Sequence, residues 1–238
     1  MHVYLIAGAA VWGLAGGLLL VPRPAHRLAV PAGEPWASAC PAGHPIRGWL
    51  GPSRCPACTA PAYGPGTGTA LACALACAAL AQATGARPEL AVWLLLAPLG
   101  VVLARVDLLV GRLPDVLTLP AFAGTASLLG LAALLPGHDG SWPRALLAAL
   151  ASGGFYFLMF VLNPAGLGFG DVKLAPTLGL ALGWYGWPAV VAGTFAGLLL
   201  GALAGLVLVL SGRATRRTPY SYGPFMLLGA LGGLLLAA

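Results

Sequence analysis

The chain has 238 residues, of which 59% are apolar and only 8% carry Asp, Glu, Lys or Arg, and its net charge is +6. A mean hydropathy of +0.90 excludes an ordinary soluble domain, where charged residues make up roughly 25%. The positive balance is scattered between apolar runs rather than clustered, which excludes a nucleic-acid-binding surface and leaves the lipid bilayer as the expected partner.

The first apolar run, Val3 to Val21, reads as a retained membrane span. It lacks a basic segment before it and a clear small-x-small cleavage site after it. Residues 22 to 68 form the only long polar segment, rich in Pro and Gly, with Arg23, Arg27, Arg47 and Arg54. It is expected to be a small loop domain. Within it Cys40, His44, Cys55 and Cys58 are spaced C-x3-H-x10-C-x2-C. Three thiolates and one imidazole suit a tetrahedral structural zinc site, which would supply folding energy that so short a loop lacks. The competing reading is a reduced loop with incidental cysteines.

Further spans are expected at Thr69–Thr84, Leu90–Val106, Val116–Leu135, Arg144–Leu162, Val172–Trp184 and Trp187–Leu210, and from Tyr222 to the C-terminus. Cys73 and Cys77, one turn apart, read as small packing residues. Arg87 and Glu89 mark a brief turn, and residues 136–143 a solvated one. Asp115 stands where a helix N-cap is expected. Gly193, Gly197, Gly201 and Gly205 recur every four residues and predict close helix approach. The fold class is therefore all-α, a polytopic bundle of about eight membrane helices: residues 1–21 a first span, 22–68 the loop, 69–238 a seven-span core.

Eight spans put both termini on one side. The loops after odd-numbered spans, with the helix edge at Arg105, hold ten of the basic side chains, including Lys173, Arg213, Arg216 and Arg217; the other side holds Arg87 and Arg144. The positive-inside rule makes the richer side cytosolic and the N-terminus external, and places the Cys/His loop in a reducing compartment.

Two carboxylates stand out against this background. Asp107 ends the third span, and Asp171 follows the spaced glycines Gly166, Gly168 and Gly170 at the start of the sixth. Two crossings separate them, so both lie at the cytosolic membrane edge. Each has a plain structural reading, Asp107 as a solvated helix end and Asp171 as an N-cap. Together they have a chemical one. Carboxyl groups held close share a proton, so one can activate a water while the other polarises a carbonyl, hydrolysing a peptide bond without a covalent intermediate. A transporter or ion pathway using the same carboxylates is the alternative, as is a metal-binding membrane scaffold.

Gly168-Phe169-Gly170-Asp171 resembles the GxGD signature of intramembrane aspartyl proteases, and its extension Val172-Lys173-Leu174 resembles the prepilin peptidases (type IV leader peptidases) in particular. Asp107 to Asp115, followed by Leu117-Thr118, resembles that family's D-x5-[IL]-P-[ND] segment, and Tyr222-Gly223-Pro224-Phe225 its late Gly-Pro-Phe segment. The resemblance covers roughly residues 90 to 238. It implies removal of a short basic leader from prepilin or pseudopilin precursors in the bacterial inner membrane, with Asp107 and Asp171 catalytic and Gly168, Gly170 and Lys173 forming the active-site loop. Larger members also methylate the new N-terminus with S-adenosylmethionine and carry two CxxC pairs. Here only Cys55-x-x-Cys58 is intact, and Cys40 with His44 stands where the other pair would be.

Overall fold

The computed structural model describes residues 2–58, 63, 66–164, 166–213, 215 and 220–238. Arg216 and Arg217, counted above in the charge balance, lie outside the described residues.

Apolar runs in lipid have no water to satisfy their backbone, so they close their hydrogen bonds internally as helices. The order is α1 His2–Leu19, α2 Pro22–Leu28, α3 Gly66–Thr84, α4 Leu90–Val110, α5 Asp115–Ala132, α6 Trp142–Leu162, α7 Phe169–Tyr185, α8 Trp187–Leu210 and α9 Gly223–Ala237. Six of these, all but α2, α7 and α9, are long and apolar enough to cross a membrane. Every expected span coincides with a helix. The helix the sequence reading missed is α2, a short element that opens on Pro22 and buries Pro22, Ala25 and Leu28.

The shortfall in α7 has a physical cause. Eleven of its 17 residues are buried, because α5, α6, α8 and α9 surround it. A helix that meets protein instead of lipid need be neither long nor uniformly apolar. Small residues let its neighbours close in: Gly179 and Gly183 face Ala148 and its neighbours on α6. Gly193 and Gly197 of α8 lie against the backbone of α9, as their four-residue spacing predicts.

The end of the bundle away from the aspartates differs from expectation. Glu89 lies in the expected turn before α4, but it is fully buried. One carboxylate oxygen accepts the Asp139 N–H at 3.2 Å, and Arg87 pairs with the Asp139 carboxylate at 3.1 Å. His138 packs its ring on the buried Trp184. The 136–143 segment is thus anchored as well as solvated.

Candidate active site

Asp107 occupies the last turn of α4 and is 4% exposed. Gly111, in the left-handed conformation at φ +64°, ends the helix and donates its N–H to the Asp107 carbonyl at 2.7 Å, the usual glycine device for stopping a helix. The carboxylate Oδ2 accepts the Gly223 N–H at 3.0 Å. The Ser221 hydroxyl donates to the Asp107 carbonyl at 2.6 Å. Ser221 and Gly223 therefore clamp Asp107 at its backbone and its side chain respectively. Gly223 is required by space: a Cβ there would stand 2.9 Å from Asp107 Oδ2.

Asp171 lies in the first turn of α7 and is 5% exposed. It is not the N-cap. Gly168 caps the helix, and the Asp171 carboxylate reaches back to accept the Gly168 N–H at 3.1 Å, which satisfies one of the orphan donors of the helix start. Gly170 has a different task. A Cβ on it would meet Leu113 Cβ at 3.0 Å and Leu113 N at 3.2 Å, so its bare backbone lets α7 start directly on the segment that follows Asp107.

Beneath the two aspartates, Leu103 of α4, Leu113 and Leu174 of α7 form one buried apolar cluster. Asp107 and Asp171 are thereby brought within electrostatic range of each other. Lys173, two residues after Asp171, has its Nζ 2.6 Å from Asp115 Oδ1 and 5.0 Å from the Phe169 ring centroid. Asp115 is accordingly not the N-cap of α5; Pro114 holds that position, and the Asp115 carboxylate ties α5 to α7.

Two tyrosines stand beside the aspartates without having been singled out as site residues. The buried Tyr156 and Tyr222 hydroxyls lie 3.2 Å apart, and both rings fall within electrostatic range of Asp171. Tyr222 sits in a segment that the resemblance already marked out; Tyr156, in the middle of an apolar run, carries no sequence signal.

The Cys/His loop forms a second, separate site. A turn through Gly43 (φ +83°) and the Ala39–Pro45 bridge bring Cys40 and His44 together. Cys40 Sγ is 3.6 Å from Cys58 Sγ and 3.7 Å from His44 Nδ1, and His44 Nδ1 is 3.1 Å from Cys58 Sγ. All four donors, Cys55 included, lie within 4.8 Å of one another. Donors at about 2.0–2.3 Å from a tetrahedral zinc stand roughly 3.5–3.8 Å apart, so the set fits the ion. Burial pushes the Cys40 thiol up, but hydrogen bonds from the His44 and Ala42 backbone outweigh it and bring it to about 6. Burial, with Cys40 and Cys55 as neighbours, pushes Cys58 up to about 12. A hydrogen bond ties the loop to the segment that follows Asp107: Arg112 donates to the Val30 carbonyl at 3.1 Å.

Residues 94–210 match the type IV leader peptidase family. Among bacterial relatives, the prepilin leader peptidase/N-methyltransferase of Aeromonas hydrophila is 31% identical over 230 residues, covering 87% of this chain and 72% of its own. That of Pseudomonas aeruginosa is 30% identical, covering 79% of this chain and 68% of its own. The Burkholderia pseudomallei protein of the same name is 35% identical over 134 residues, 53% of this chain and 40% of its own. The match also spans about half, 53%, of the Pectobacterium carotovorum relative. No solved structure matches. The Asp107 and Asp171 segments both fall inside the matched residues, and the chain belongs to the type IV leader peptidase family.

Proposed function

We propose that the chain is an intramembrane aspartic endopeptidase that removes the leader from prepilin-like precursors at the cytosolic face of the bacterial inner membrane, with Asp107 and Asp171 as its catalytic pair. The observation that carries this reading is the convergence of the two carboxylates, from helices α4 and α7, on one buried spot bounded by Gly168, Gly170 and Gly223. Two carboxyl groups in electrostatic contact hold one proton between them more readily than they hold two charges. The ionised partner takes a proton from the attacking water, and the protonated partner donates to the scissile carbonyl. Collapse of the tetrahedral intermediate returns a proton to the leaving amine. The backbone N–H groups of Gly168 and Gly223 hold each carboxylate in place, so little reorganisation is needed during the reaction. Lys173, drawn to Asp115, ties the start of α7 to the start of α5.

The orientation follows the basic loops, with the aspartate end and the Cys/His loop cytosolic and the N-terminus external. Cys40, His44, Cys55 and Cys58 hold a structural zinc in this reading. The relatives' names add N-methylation, for which S-adenosylmethionine is the donor; no pocket here is assigned to it.

The test is co-expression with a tagged prepilin, followed by mass spectrometry of its N-terminus for wild type and Asp171→Asn. Cleavage in the wild type alone supports the reading, and a mature N-terminus one methyl group heavier adds the second activity. No cleavage by well-folded wild type overturns it. Gly223→Ala supplies a finer check. The added methyl, 2.9 Å from Asp107 Oδ2, displaces the carboxylate and breaks its hydrogen bond. Cleavage should fall on the order of 10²-fold, the cost of a displacement near 1 Å, with membrane-inserted protein at wild-type level by immunoblot.

A further inference from the structure

The buried hydroxyls of Tyr156 and Tyr222 transfer no proton in the proposed reaction, yet their placement ties them to both aspartates. Tyr222 stands between the two residues that bond Asp107. The Ser221 hydroxyl donates to the Asp107 carbonyl at 2.6 Å, and the Gly223 N–H donates to its carboxylate at 3.0 Å. Residues 220–222 precede α9 and belong to no helix, so side chains do much of the work of holding them.

The Tyr222 ring is held on two sides. Toward α8 it lies against Gly201, where a Cβ would come within 2.7 Å of the ring. The neighbouring Tyr220 hydroxyl donates to the Gly201 carbonyl at 3.2 Å. Toward α6 the Tyr222 hydroxyl meets that of Tyr156 at 3.2 Å, with the ring centroids 6.2 Å apart. Both rings are buried in one apolar cluster with Val172 and Ala175 of α7 and Met226 of α9. Val172 directly follows Asp171. The hydroxyl pair is thus fixed both to the turn that carries one aspartate and to the segment that holds the other. A hydrogen bond is directional where the packing around it is not, so this one fixes the rotation of Tyr222 and with it the aim of the next N–H.

We propose that Tyr156 and Tyr222 are positioning residues, whose hydroxyl bond aims the Gly223 N–H at Asp107 and holds the two carboxyls at the spacing where they share a proton. The inference rests on the proteolytic reading above. Tyr156 acts through Tyr222, and Tyr222 acts through Gly223. Helix α6 thereby joins α4, α7 and α9 in framing the aspartates.

The experiment compares Tyr156→Phe, Tyr222→Phe and the double variant as purified full-length proteins, with a tagged prepilin as substrate. Phenylalanine keeps the ring and its packing and removes only the hydroxyl. Each single variant should lower kcat on the order of 10-fold with KM unchanged, a fraction of the about 10²-fold cost of a displacement near 1 Å. The pH profile of kcat should also narrow, because carboxyls that drift apart couple less and their two apparent pKa values approach each other. The groups in electrostatic range of Asp171 are Asp107, Tyr156, Tyr220 and Tyr222, and only the carboxyls ordinarily titrate in the acid range.

The double variant separates positioning from stability. Removing one hydroxyl strands the other in an apolar site, whereas removing both strands neither. Thermal stability should fall in each single variant and return in the double, while kcat stays low in all three. A return of kcat along with stability would overturn the proposal, since the hydroxyls would then serve packing alone. Amide hydrogen exchange needs no substrate. In the peptide covering residues 220–226 it should quicken in Tyr156→Phe, a change made on another helix, as the Gly223 N–H loses its hold on Asp107. Exchange there at the wild-type rate would overturn the proposal whether or not prepilin is cut. Absence of cleavage by wild type is read separately and counts against the proteolytic reading itself.

Discussion

Asp107→Asn and Asp171→Asn should each leave the precursor uncut while the protein remains folded in the membrane. General acid–base catalysis by one positioned group contributes about 10²–10⁴-fold, and in the proposed mechanism each carboxyl serves a reaction that needs both an acid and a base. Loss of either removes the shared proton arrangement itself, so the fall should reach the top of that range. Asparagine is the informative substitute because its amide oxygen can still accept the Gly223 or Gly168 N–H that the native carboxylate accepts at 3.0 and 3.1 Å. The clamp on each side chain survives and the chemistry does not. Precursor processing followed by gel shift, with detergent-extracted enzyme checked for monodispersity, separates the two. A single variant that still cleaves would sink the paired mechanism and leave the remaining aspartate as the one to explain. The double variant should be no worse than either single one, because residues that act as a unit are not additive.

The convergence of Asp107 and Asp171 was largely legible before any coordinates. Charge is so scarce in this chain that a carboxylate at the end of an apolar run is conspicuous, and counting crossings places both on one face. What counting cannot supply is contact, which depends on Gly170 lying against Leu113 and on the Leu103–Leu113–Leu174 cluster beneath. Hydropathy located the helices because length and apolarity are local properties. It could not mark α7 as the central helix, since a buried face and a lipid-facing one look alike in composition. The turn at Arg87 and Glu89 was legible, but the burial of Glu89 was not, because it depends on a loop some 50 residues away in sequence. Tyr156 sits among apolar neighbours with nothing to single it out, and its relation to Asp171 is created by α6 packing on α7. Asp115 was misread because N-cap preference is a local statistic, whereas its partner Lys173 comes from another helix.

Wild-type protein should carry one zinc ion per chain, and replacing Cys55 and Cys58 together by serine should remove it and unfold the loop while sparing the membrane core. The loop from Val30 to Cys58 has little apolar material of its own: its aromatic pair, Trp36 and Trp49, is substantially exposed. Segments below about 40 residues usually need a metal or disulfides to hold a fold, and the five cysteines are free thiols. Structural zinc sites contribute about 10–16 kcal/mol in apparent binding free energy at neutral pH, as much as a whole domain's net stability of about 5–15 kcal/mol. The loop's hydrogen bonds, such as those from Arg23 to the Arg47 carbonyl and from Arg27 to the Gly48 carbonyl, cannot replace a contribution of that size. Elemental analysis of purified protein should therefore read zinc in the wild type and none in the variant, with new protease cuts confined to residues 30–58. Processing should decline without vanishing, because the loop meets the segment after Asp107 through the bond from Arg112 to Val30, whereas the hydrogen bonds that hold the Asp107 and Asp171 carboxylates come from Gly223 and Gly168. Wild-type protein without zinc would leave the cluster as four reduced donors with no ion to organise them. Complete loss of cleavage in the variant would instead give the loop a direct part in presenting the precursor.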